Sequence, residues 1–83
     1  MLKILLFGRL GDTAGDTEIG IPWSDTLGTV ETVREHLAQQ SPELRDALGG
    51  SRNLVAVNQQ ICDPDTDVHD GDEIAFMPPV TGG

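Results

Sequence analysis

Asp70-Gly71-Asp72-Glu73-Ile74-Ala75-Phe76-Met77-Pro78-Pro79-Val80-Thr81-Gly82-Gly83 ends this 83-residue sequence, and its reading decides the fold. Asp70, Gly71 and Asp72 make a turn, Glu73 to Met77 alternates as a strand, and two prolines then stop it. Working outward, the nearest match to that strand is at the other end of the chain. Leu2 to Phe7 is apolar except for Lys3, too short for a helix and ended by Gly8, which predicts a strand near the middle of a sheet. Alternation places Leu2, Ile4 and Leu6 with Ile74 and Phe76 on one face, and leaves Lys3, Leu5, Phe7, Ala75 and Met77 on the other.

The middle of the chain supplies the cover for one face. Three glycines between positions 8 and 16 make a loop, and Thr17 to Ile21 alternates, with Ile19 and Ile21 together, until Pro22 interrupts it. From Thr29, Val30, Val33, Leu37 and Ala38 recur at helical spacing while Glu31, Arg34, Glu35 and Gln39 point away, and Thr29 or Thr26 caps the first turn. Ser41-Pro42 opens a short second helix carrying Leu44 and Leu48, stopped by Gly49-Gly50. Leu54 to Val57 is a strand that leads into a turn at Asn58 to Gln60. Ile61 and Val68 bound a polar connection containing Asp63, Pro64, Asp65 and Asp67. Strand, strand, helix, short helix, strand, strand is an α+β arrangement with one helix to cover one sheet face. The other face, with its Phe and Met, is covered either by loops or by a partner.

Composition narrows the function classes. Eighty-three residues make one small domain. The longest apolar run, Ile4 to Phe7, is far below the roughly 18 residues of a membrane span, and too short for a signal-peptide core, so the expectation is a cytoplasmic protein with no membrane partner. Fourteen acids against five bases, a net charge of −9, repel phosphate backbones and argue against nucleic acid, while suiting either a basic protein surface or simply solubility or a salty habitat. Cys62, the single cysteine, has no disulfide partner and no nearby base to form a thiolate. His36 and His69 stand far apart, with no zinc-type spacing. The aspartates at 63, 65, 67, 70 and 72 lack the glycine and glutamate positions of an EF-hand, so no metal site is expected.

Chemistry is left to the tail. Prolines hold an extended course, and Gly82 and Gly83 carry no Cβ, so the terminal carboxylate can enter a slot too narrow for other residues. Six residues at about 3.3 Å each reach roughly 20 Å. On these residues alone the alternative is an ordinary frayed terminus.

The combination resembles the small sulfur-carrier subunits of molybdopterin synthase, which have the ubiquitin-like β-grasp fold. The resemblance rests on Leu2 to Phe7, on Val57-Asn58-Gln59, and above all on residues 70–83 with their diglycine ending. It spans essentially the whole chain; the segment around Trp23, the loop near Asp65, and Met77, where an aromatic is common, are individual. The resemblance implies a mixed sheet of about five strands with one main helix and a short second one. Leu2 to Phe7 would run parallel to Glu73 to Met77 in a domain of residues 1–77, followed by a tail of residues 78–83.

It also implies a function. The carboxylate of Gly83 is adenylated by a ubiquitin-activating-like adenylyltransferase that uses ATP, and a sulfurtransferase then converts it to a thiocarboxylate. The large synthase subunit receives the tail, Pro78, Pro79, Val80, Thr81 and Gly82 threading a channel, and a heterotetramer is the family's usual assembly. Sulfur passes to cyclic pyranopterin monophosphate to make the dithiolene of molybdopterin. Phe7, Ile61 and Met77 would be apolar anchors on the open face, with acids at the rim. No cofactor is held permanently, and the carrier contributes a reactive atom to a sulfurtransferase complex rather than an active site of its own. The related alternatives are the carriers for thiamin thiazole synthesis and for tRNA thiolation or protein modification. A plain interaction module is the alternative of another class.

Overall fold

The computed structural model describes residues 1–7, 18–40, 42–48 and 54–77. Strand β1 (Leu2–Leu6) is followed by β2 (Glu18–Ile21), helices α1 (Val30–Ala38) and α2 (Pro42–Leu48), then β3 (Leu54–Val57), β4 (Gln60–Ile61) and β5 (Glu73–Met77). The predicted loop between the first two strands, the Ser41 cap and the glycine stop after the second helix lie outside the described residues, as does the 78–83 tail.

The five strands form one sheet in the order β2-β1-β5-β3-β4. β1 and β5 run parallel, Ile4 beside Ile74 and Leu6 beside Phe76, while β2 and β3 flank them antiparallel. β1 is an interior strand as expected, but β5 holds the centre. Both are short and apolar, and only the pairing of β3 with β5 distinguishes them.

Every second residue of β1, β3 and β5 turns toward the core under the helices. Leu2, Ile4, Leu6, Ile74 and Phe76 share a core with Val55, with Val30, Val33 and Leu37 of α1, and with Leu44 and Leu48 of α2. Each fully buried aliphatic or aromatic side chain contributes about 1.5–3 kcal/mol, so this one contact layer is the main stabilising element. Arg34 ties the two helices together, donating to the Leu48 carbonyl at 3.0 Å and pairing with Glu31.

Thr29, rather than Thr26, caps α1. Its Oγ1 accepts from the Thr32 N–H at 3.3 Å, and the Thr29 N–H donates to the Thr32 Oγ1 at 3.0 Å. The next two amides, of Val30 and Glu31, donate to the carbonyls of Thr66 and Pro64 at 3.0 and 2.8 Å. The acidic connection is thereby docked on the start of α1, with Val68 buried beneath it. A short 3-10 turn, Asp25–Leu27, was not legible in the sequence; it plugs the core with Leu27.

The pattern of the residues alone predicts four strands, and the structure adds a fifth, β4. Asn58 and Gln59 have φ of 51° and 71°, so two residues suffice for the turn and Gln60 pairs back with Val57. Such a tight hairpin needs left-handed backbone at both turn positions, which asparagine tolerates well. A two-residue strand has no periodicity to read.

Candidate functional site: the open sheet face

The face opposite the helices is built in three rows. Across the middle, Ile61, Ala56, Ala75, Leu5 and Glu18 stand side by side on β4, β3, β5, β1 and β2. Toward the C-terminal end of β5, Leu54 pairs with Met77, and Phe7 continues the ladder beside it, its N–H donating to the Phe76 carbonyl at 3.1 Å. At the opposite end lie Glu73, Lys3 and Gly20, with Lys3 4.0 Å from Glu18. The face is thus apolar where the chain leaves β5 toward residue 78, and charged at the far end.

Its centre is concave. Ala56 and Ala75, in register, form a floor, and Leu5, Phe7, Ile61, Met77, Gln59 and Glu73 stand around it. Two methyl side chains between longer neighbours leave a depression by volume alone, and those neighbours cover the alanines to 5% and 8% exposure. Phe7 and Ile61 keep 48% and 64% of their surface, and Leu54 39%. Large apolar side chains left open around a depression lose water favourably only when something else packs there.

Polar order at the edge of this face converges on Asp72. Its carboxylate accepts from the His69 N–H at 2.8 Å and from the Asn58 side-chain amide at 3.1 Å. The His69 backbone bond is the chief reason its carboxyl sits below the ordinary 3.8; partial burial opposes this, while the Asn58 amide and the nearby His69 ring reinforce it.

Phe7, Ile61 and Met77, expected as partner anchors, do share this one face. The expected reactive group, the carboxylate of Gly83, and its approach through Pro78, Pro79, Val80, Thr81 and Gly82 lie outside the described residues. Leu54 and Ala56 were missed as members of the face, although the alternation of Leu54 and Ala56 against Val55 and Val57 carries the signal. Among the described residues no three His, Cys, Asp or Glu side chains are grouped to hold a metal ion. Cys62 is half-buried against the core. No helix among the described residues is long and apolar enough to cross a membrane.

A mixed sheet of this order, grasping one main helix and presenting its other face outward, defines a ubiquitin-like β-grasp protein. The chain belongs to the ThiS family, whose sequence model matches residues 4–83. It is similar over its whole length to the molybdopterin synthase sulfur carrier subunits of Haemophilus influenzae, at 43% identity over 83 residues, and of Escherichia coli K12, at 41% over 85, with 100% of both chains covered in each case. Among solved structures it resembles SAMP1 of Haloferax volcanii, with a TM-score of 0.84 at 26% identity over 99% of this chain and 98% of that one. It also resembles a chain of the complex of subunits 1 and 2 of molybdopterin-converting factor from Helicobacter pylori, with a TM-score of 0.68 at 26% identity over 99% and 97%.

Proposed function

We propose that this protein is the sulfur-carrier subunit of a molybdopterin synthase. The observation that carries the reading is full-length identity above 40% to two carriers of that name, over a span that includes the diglycine ending. In this reading the tail is a separate unit from the β-grasp domain of residues 1–77, and the domain's role is to aim it. A carboxylate is a weak electrophile, so the Gly83 oxygen first attacks the α-phosphorus of ATP on an adenylyltransferase and pyrophosphate leaves. Sulfur delivered at the sulfide level by a sulfurtransferase then attacks the acyl carbon, a C–S bond forms, and AMP leaves with the acyl–oxygen bond broken. The product, a thiocarboxylate, is a soft nucleophile on an arm whose final two residues have no side chain to obstruct entry.

The open face is the docking surface for the large subunit, with Phe7, Ile61 and Met77 as anchors and the apolar end nearest the departing chain. That placement desolvates the surface around the root of the tail and leaves Glu18 and Glu73 at the rim. Apolar centre and charged rim are the usual anatomy of a specific interface. The adenylyltransferase uses an overlapping surface, and the carrier alternates between the two partners. Two carriers on a dimeric large subunit make the assembly, and in this reading the protein works in the cytoplasm.

The likeness to SAMP1, a chain of the kind called small archaeal modifier protein, favours a second reading in which the same activated terminus is passed to thiolation or protein modification. Incubating the protein with an activating enzyme, ATP and a sulfur donor is expected to exchange one oxygen for sulfur on the C-terminal peptide, read by intact mass. Adding the large subunit and cyclic pyranopterin monophosphate is then expected to yield molybdopterin. Thiocarboxylate without molybdopterin moves the protein to the second reading. No mass shift, together with undiminished partner binding after extension by one residue beyond Gly83, leaves an interaction module.

A further inference from the structure

The turn between β3 and β4 is tied down by one side chain. The Asn58 Oδ1 accepts from the Glu73 N–H at 3.0 Å, and its Nδ2 donates to the Asp72 Oδ1 at 3.1 Å. Its own N–H donates to the Glu73 carbonyl at 2.8 Å. Asp72 in turn holds the His69 N–H, and its carbonyl accepts from the Lys3 N–H at 3.1 Å. Asn58 therefore joins the hairpin to the start of β5, to the preceding turn and, through Asp72, to β1.

β4 needs such a tie. It is two residues long, both exposed, and beyond its own pairing with β3 the next backbone bond is from the Cys62 N–H to the Val55 carbonyl at 3.0 Å. Yet Gln59 and Ile61 make one wall of the concave face. The φ of 51° at position 58 does not by itself require asparagine, because glycine meets it equally well. What glycine lacks is the side-chain bond to Glu73 at the start of β5 and the one to Asp72 just before it.

We propose that Asn58 is a positioning residue for docking: its side chain fixes the β3–β4 hairpin against β5, and so holds Gln59 and Ile61 in the arrangement that a partner meets on the open face. This rests on the reading of that face as the surface for the large synthase subunit. A wall that samples other positions lowers affinity in proportion to the time it spends in the right one.

Asn58→Gly preserves the turn and removes only the two side-chain bonds. Hydrogen exchange is expected to speed at the Cys62 amide by about tenfold, while the Phe7 amide between β1 and β5 stays protected. Titration calorimetry against the large subunit is expected to show a loss of affinity of about three- to tenfold. Asn58→Asp keeps the acceptor for the Glu73 N–H but sets a second carboxylate against Asp72, with Glu73 and His69 the other titratable groups around it. Its affinity is expected to be lower still at neutral pH and to recover on acidification, as a proton is shared between the two carboxylates, a profile that Asn58→Gly does not show. Unchanged Cys62 exchange, unchanged affinity in Asn58→Gly, or a flat pH profile in Asn58→Asp overturns the proposal. Failure of the unmodified protein to bind the large subunit overturns the functional reading and the docking role with it, whereas normal binding by both protein and variants overturns the role of Asn58 alone.

Discussion

Under α1, Leu2, Ile4, Leu6, Ile74 and Phe76 keep 1% of their surface or less, whereas on the reverse of the same sheet Phe7 keeps 48% and Ile61 64%. Both faces carry large apolar side chains, so the presence of such residues does not by itself separate them, although Lys3, Glu18 and Glu73 fall on the open side. What separates them is that one face has its partner within the chain, and no described element covers the other. Burial is finished on the first face, and its side chains act on stability. On the second, the same kind of side chain stays open, and in the proposed reading its contribution appears when the large subunit docks.

The sharpest way to break this comparison is to damage each face in turn. Phe76→Ala, beneath the helix, is expected to cost about 3–5 kcal/mol through lost contact and a residual cavity, read as a fall in the denaturation midpoint. Partner binding by whatever fraction remains folded should be intact. Phe7→Asp or Met77→Asp, on the open face, is expected to leave stability within about 0.5 kcal/mol of the parent while weakening association with the large subunit by about 2 kcal/mol or more, measured by calorimetry. If the aspartates unfold the domain, the open face is a second core and the comparison fails.

A smaller effect sharpens the origin of the covered face. Thr29→Ala removes the acceptor for the Thr32 N–H at the start of α1 and is expected to cost about 1 kcal/mol, a shift in melting temperature of about 4–8 °C for a domain of this size. Binding through the open face should not change, since α1 lies on the other side of the sheet. Smallest is the contribution of Asp72, at the margin of the open face. Its carboxyl is held below the ordinary 3.8, so the folded state favours the ionised form. That stabilisation is complete above the ordinary value and is lost as pH falls through the lowered one. Asp72→Asn is therefore expected to be slightly less stable than the parent at neutral pH, with the gap closing in strong acid, as followed by urea denaturation at several pH values.

Much of the fold was written in the chain. The alternation of β1 and β5 assigned each residue to the correct face, and Val30, Val33 and Leu37 marked the side of α1 that would meet them, because periods of two and of about 3.6 residues follow directly from backbone geometry. The diglycine ending and the open pair Phe7 and Met77 were equally legible. Harder to see were the elements that local pattern does not encode. β4 has two residues, the 3-10 turn at Asp25–Leu27 has three, and the carbonyls of Pro64 and Thr66 find the start of α1 only after the chain has folded.

The sequence by itself determined which residues are apolar, which side of the helix they take, and that residues 82 and 83 carry no side chains. Tertiary structure decided that β5 rather than β1 holds the centre of the sheet. It brought Ala56 beside Ala75 to make a floor, and it set Leu54, Met77 and Phe7 in one row where the chain leaves the sheet. Those facts depend on pairing between strands distant in sequence. The alternation within a strand says which face a side chain takes, and only the register between strands says which neighbour it meets there.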